Sequence, residues 1–116
     1  MQPSVQIVFH DLSRSEALER KILERANRLE HFHPHLLRCH VTVGQPHRHK
    51  QQGNLFHVRV ALRVPGEEIV IDRNEEEDVY AAVNDAFDAA RHRLEEAASR
   101  HRARNRTARP AAGARK

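Results

Sequence analysis

In two segments, residues 37–43 and 56–64, apolar side chains fall on every second position, and this alternation constrains the fold more than any other feature of the chain. Leu37, Cys39, Val41 and Val43 alternate with Arg38, His40 and Thr42. Phe56, Val58, Val60, Leu62 and Val64 alternate with His57, Arg59, Ala61 and Arg63. A period of two places one set on each face of an extended strand, so both segments predict strands with one buried face. Val64-Pro65-Gly66-Glu67 fits a tight turn, with Pro at its second position and Gly at its third. A further strand over Glu68 to Asp72 completes an antiparallel meander.

The flanking segments follow other periods. Val5, Ile7 and Phe9 alternate with Gln6, Val8 and His10, which predicts a first strand. Ser13-Arg14-Ser15-Glu16 has the spacing of a capping box, predicting a helix that starts there. Leu18, Ile22, Ala26 and Leu29 then share one helical face, and the helix is expected to end near His31 to Pro34. Val79, Val83, Ala86, Phe87, Ala90, Leu94 and Ala97 predict a second helix, from roughly Glu76 to Arg104. Its acidic start and basic end complement the helix dipole. Residues 105–116 show no periodicity and are expected to form a disordered basic tail.

The order is therefore β-α-β-β-β-α. The first strand returns through a helix, so it is expected to pair in parallel. Each helix has one apolar stripe and the sheet has one apolar face. The fold class is α+β: a four-stranded mixed sheet with two helices packed on one face and the other face open. One domain, residues 1–104, accounts for the whole core. No apolar run approaches the roughly 20 residues of a membrane helix. A single cysteine, Cys39, excludes an internal disulfide, and a cytoplasmic location is the simple expectation.

Charge bears on partners. The net charge is +4, but residues 101–116 hold six of the 20 Lys and Arg and no acid. Residues 1–100 thus carry 14 basic against 16 acidic side chains, a net of −2. Nucleic-acid binding by this body would have to use patterned faces rather than bulk charge. Four such features stand out. Arg14, Lys21, Arg25 and Arg28 fall within roughly a 60° arc of the first helix. Arg93, Arg100 and Arg104 follow one flank of the second apolar stripe. Arg38 and Arg59, with His40, His57 and Arg63, and His10 on the first strand, belong to the open sheet face. His47, Arg48, His49 and Lys50 form a donor-rich loop between strands. Each also has a plainer reading as a solvated surface with local ion pairs.

Other chemistries find less support. The sheet lacks the exposed aromatic pair of an RRM, and no GxxG loop of a KH domain occurs. The acidic start of the last helix is the reverse of what a double-stranded RNA-binding domain needs. No phosphate loop, nucleophile motif or HExxH occurs, so an enzyme is not expected. Ten histidines raise metal binding, but His31, His33 and His35, or His47 and His49, match no zinc spacing. A protein-binding adaptor using the acidic stretch Glu67 to Asp78 is the alternative from another class.

The strand and helix order, Ser13 to Leu18 (Ser-x-x-Glu-Ala-Leu), Leu29-Glu30-His31-Phe32 and Asp78-Val79-Tyr80-Ala81-Ala82-Val83 together resemble the ribosome hibernation-promoting factor family. That family includes the ribosome-associated inhibitor A (protein Y) type and was once called sigma-54 modulation protein. The resemblance covers about residues 4–104. It implies binding to the 30S subunit and the 70S ribosome, in the mRNA channel near the A and P sites, on 16S ribosomal RNA. Bound there, such proteins block mRNA and tRNA and preserve idle ribosomes in stress or stationary phase, with no cofactor or small-molecule substrate. The family's basic positions on the first helix match Arg25 and Arg28, and those after the Tyr-Ala-Ala motif are partly answered by Arg91 and Arg93. Long members add a C-terminal dimerisation domain. With only a short basic tail in its place, this chain is expected to be a monomer when free.

Overall fold

The computed structural model describes residues 4–45 and 55–113, with side chains described to residue 103. The element order is β1 (Ser4–His10), α1 (Glu16–Phe32), β2 (Arg38–Gly44), β3 (Phe56–Val64), β4 (Glu67–Glu76) and α2 (Val79–Gly113). The sheet order is β1-β2-β3-β4, with β1 parallel to β2 and the remaining pairs antiparallel.

The period-two pattern sets which face is buried. Cys39, Val41 and Val43 on β2, Val58, Val60 and Leu62 on β3, and Ile69 and Ile71 on β4 all point to one side. They meet Leu18, Ile22, Ala26 and Leu29 of α1 and Val83, Ala86, Phe87, Ala90 and Leu94 of α2 in a single cluster. Both helices therefore cover the same sheet face. Leu62, Ile69 and Phe87 are fully buried, and each is worth about 1.5–3 kcal/mol of transfer free energy. Burial pushes the Cys39 thiol up to about 12, as expected of a core residue rather than a reactive one.

Two glycines answer specific demands. Gly66 takes φ +81° in the β3–β4 turn, where a side chain would be strained. Gly44 lies so close to β1 that a Cβ would meet the His10 carbonyl oxygen at 2.7 Å.

The structure corrects four expectations. The α1 cap is Ser15, whose hydroxyl accepts from the Leu18 N–H at 3.2 Å; Ser13 lies outside the helix. Only Ser13 has a glutamate three residues on, yet the path of the chain from β1 makes the later serine the cap. Leu36 rather than Leu37 enters the core, at 3% against 54% exposure. A turn closed by the Leu36 N–H on the His33 carbonyl tucks Leu36 under the helices before the strand alternation begins. Strand β4 runs on to Glu76, past its last apolar residue, through a register shift opposite Phe56 and Val58. Ladder hydrogen bonds are made by backbone, so the strand continues where nothing apolar marks it. Finally, α2 runs from Val79 to Gly113 rather than from Glu76 to Arg104.

Candidate nucleic-acid interface

The helices run side by side in the same direction. Tyr80 at the start of α2 lies beside Ala17 and Lys21, Asn84 and Asp88 reach Arg25, and Leu94 and Glu95 border Phe32 and His33. Of the basic stripe, Lys21 and Arg25 thus face α2. Arg25 is consumed by this contact: Nη1 donates to Asn84 Oδ1 at 2.6 Å and Nη2 to Asp88 Oδ1 at 2.7 Å. Its guanidinium also stands 5.6 Å from the centre of the Phe87 ring, a cation–π arrangement. Arg14 is held by Glu19 through two hydrogen bonds, at 3.1 and 2.8 Å. Lys21 and Arg28 share Glu24 at 3.9 and 3.7 Å, distances that leave both cations largely available. Arg91 of α2 lies 3.5 Å from Glu95 and near enough to His33 at the end of α1 to act on its charge.

The open sheet face presents a second group. Arg38 and Arg63 are direct cross-strand partners, both exposed, and neither has an ion pair among the described residues. Like charges placed opposite one another repel. Arg59 sits opposite Asp72, whose carboxylate it approaches at 3.7 Å and which also bonds His57. His40 lies between these rows, and its Nε2 is buried without a hydrogen-bond partner.

Arg93 and Arg100 lie on the other flank of α2. Arg100 Nη2 donates to Glu67 Oε2 at 2.6 Å, fastening the helix to the start of β4. Arg93 is exposed and has no ion-pair partner among the described residues. His47, Arg48, His49 and Lys50 lie outside the described residues, as does the side chain of Arg104. The candidate residues therefore do not form one patch. The fold distributes them over the inter-helix groove, the open sheet face and the outer flank of α2.

Much of the acidic stretch proposed for an adaptor is engaged within the fold. Glu67 holds Arg100, Asp72 holds Arg59 and His57, and Asp78 caps α2 by accepting from Tyr80 N at 2.9 Å. Among the described residues no three His, Cys, Asp or Glu side chains converge as metal ligands would. Among the described residues no helix is long and apolar enough to cross a membrane. His33, at the C-cap of α1, has its pKa lowered by burial and, to a smaller extent, by Arg91, while Glu95 acts in the opposite direction. Two residues escaped the pattern reading as candidates: Tyr80, a large aromatic exposed at 40%, and Arg20 beside it. Tyr80 borders the apolar stripe, and its exposure depends on where α1 lies.

Comparison with known proteins agrees with this architecture. A ribosomal subunit interface protein from Coxiella burnetii superposes with a TM-score of 0.70 at 14% identity, covering 83% of this chain and 98% of that one. The Protein Y N-terminal domain from Thermus thermophilus gives a TM-score of 0.66 at 16% identity, with the same coverage. At such identities the likeness establishes the fold alone. No curated protein matches the chain in sequence. The model of the Sigma 54 modulation protein / S30EA ribosomal protein family matches residues 5–102, which span the sheet and most of both helices, and the chain belongs to that family.

Proposed function

We propose that this protein is a ribosome-associated factor that binds 16S ribosomal RNA in the mRNA channel of the 30S subunit, alone or within the 70S ribosome. It inhibits translation there and stabilises idle ribosomes in stress or stationary phase. It acts by occupying space, with no chemical step, and is a cytoplasmic monomer when free.

The family match over residues 5–102 carries the reading. One structural neighbour is itself named a ribosomal subunit interface protein, which accords with it. The charge layout supports the same view in physical terms. Residues 1–100 have a net charge of −2, so long-range attraction to RNA is weak and binding depends on local cations. Lys21 lines the depression between the helices, Arg28 and Arg91 are exposed on α1 and α2, and Arg38, Arg59 and Arg63 occupy the opposite sheet face. A thin domain with cations on both broad faces suits a cleft with phosphate on two sides. Arg48 and Lys50 of the β2–β3 loop, Arg93, Arg100 and Arg104 are further proposed contacts, with His47 and His49 as pH-dependent donors.

Co-sedimentation with 30S, 50S and 70S particles across a salt series tests the proposal. The expected result is saturable binding near one copy per 30S and 70S, weakened as salt rises. Absence of binding at low salt would mean that the fold serves another purpose.

A further inference from the structure

Tyr80 is the only tyrosine of a chain that has no tryptophan. It does not behave as a core aromatic. Phe87, two turns further along α2, is fully buried, whereas Tyr80 is 40% exposed. Its backbone is well anchored: the Asp78 carboxylate accepts from the N–H groups of Tyr80 at 2.9 Å and Ala81 at 3.4 Å. Long side chains on a helix lean back toward its N-terminus, so the ring is carried over the start of α2 toward Ala17 and Lys21. There it lines a shallow depression together with Arg20, Lys21, Glu24 and Asn27 of α1. Arg20 is exposed and has no ion-pair partner among the described residues. Lys21 has only the 3.9 Å approach of Glu24.

An exposed ring on a fixed backbone beside two cations has the make-up of a stacking subsite for single-stranded nucleic acid. A nucleobase needs only a π-face to rest on, and its neighbouring phosphates need charge within side-chain reach. We propose that Tyr80 is a stacking platform for an unpaired nucleobase of RNA, with Arg20 and Lys21 holding the adjoining phosphates. This rests on the RNA-binding reading above and adds to it a base contact at a defined residue. Stacking of this kind tolerates any base, so it would add affinity without a sequence requirement. Asn27, in the same depression, supplies an amide that can bond a base edge.

The composition makes the test direct, because tyrosine emission from the intact chain reports this one position. The protein is titrated with short single-stranded RNA at low salt, with free N-acetyltyrosinamide correcting for absorption by the RNA. Saturable quenching is expected, and RNA of the same length lacking bases should bind without it. Tyr80→Ala should weaken binding of ordinary RNA roughly 5- to 100-fold, while Tyr80→Phe should retain it. Emission unchanged at saturation, equal affinity of Tyr80→Ala and the unaltered protein, or no binding of single-stranded RNA would each overturn the proposal. Parallel co-sedimentation separates the two readings: if 30S binding persists while any of these negative results holds, only the stacking site fails.

Discussion

Arg25 of α1 donates to Asp88 of α2 at 2.7 Å, and the two partners are unequally exposed: 13% of the arginine side chain is accessible, against 74% of the aspartate. The guanidinium is fixed between the helices, with Asn84 as its second acceptor and the Phe87 ring beneath it. It is thus a structural clamp more than a free cation. Arg25→Ala should cost about 1–2 kcal/mol, because two charge-assisted bonds are lost while Asp88 keeps its water. Arg25→Lys should recover little, since an ammonium cannot span both acceptors with the planar fork. Urea unfolding of the two variants reads both effects. Full stability of the alanine variant would show that the helices need no clamp.

The clamp changes which charge reversals are informative about the ribosome. Arg25→Glu would confound binding with folding. Lys21→Glu with Arg28→Glu avoids this, because the exposed Glu24 is the one ion-pair partner of both among the described residues. That double variant should melt within a few degrees of the unaltered protein and bind 30S subunits at least roughly tenfold more weakly, with a shallower salt dependence. Unchanged binding by the folded variant would remove the inter-helix groove from the interface.

Arg38 and Arg63 face one another across β2 and β3. Removing one should relieve repulsion, so Arg38→Gln is expected to leave stability unchanged or raise it by a few tenths of a kcal/mol. If the sheet face meets phosphate, the same change should lower ribosome affinity. Stability and binding would then move in opposite directions, a combination that damage to the fold cannot produce. A loss of both would instead assign Arg38 a structural role.

His33 makes stability depend on pH. Burial lowers its pKa below the ordinary 6.5, so the folded protein holds this imidazole neutral where the unfolded chain would protonate it. The unfolded state then binds more protons, and stability rises with pH across that interval. The contribution is complete above pH 6.5 and is lost as pH falls through the lowered folded value. Thermal melts between pH 8 and 5 should show this decline, and His33→Gln should flatten it. Glu95→Gln should steepen it, because the carboxylate partly supports the charged form. Identical profiles for all three proteins would place the pH dependence on other groups.

Local periodicity carried most of the architecture. The alternation from Cys39 to Val43 and from Phe56 to Val64 assigned the sheet faces, and the stripes Leu18–Leu29 and Val79–Ala97 assigned the buried helix sides, because solvent exclusion acts on each element in the same way wherever it lies. Pro65-Gly66 similarly marked its turn, since the backbone geometry required there is a property of those two residues. Tertiary structure decided what lies beside each stripe. Arg14, Lys21, Arg25 and Arg28 form one line in sequence, yet Arg25 is taken by Asn84 and Asp88, which lie more than fifty positions away. Ser15 caps in place of Ser13 and Leu36 is buried in place of Leu37, through the path of the chain into and out of α1. Tyr80 remains exposed because of how α1 and α2 sit together. A periodic pattern reports which side of an element avoids water, whereas the partner of a flanking charge depends on how two elements pack, which only the folded chain determines.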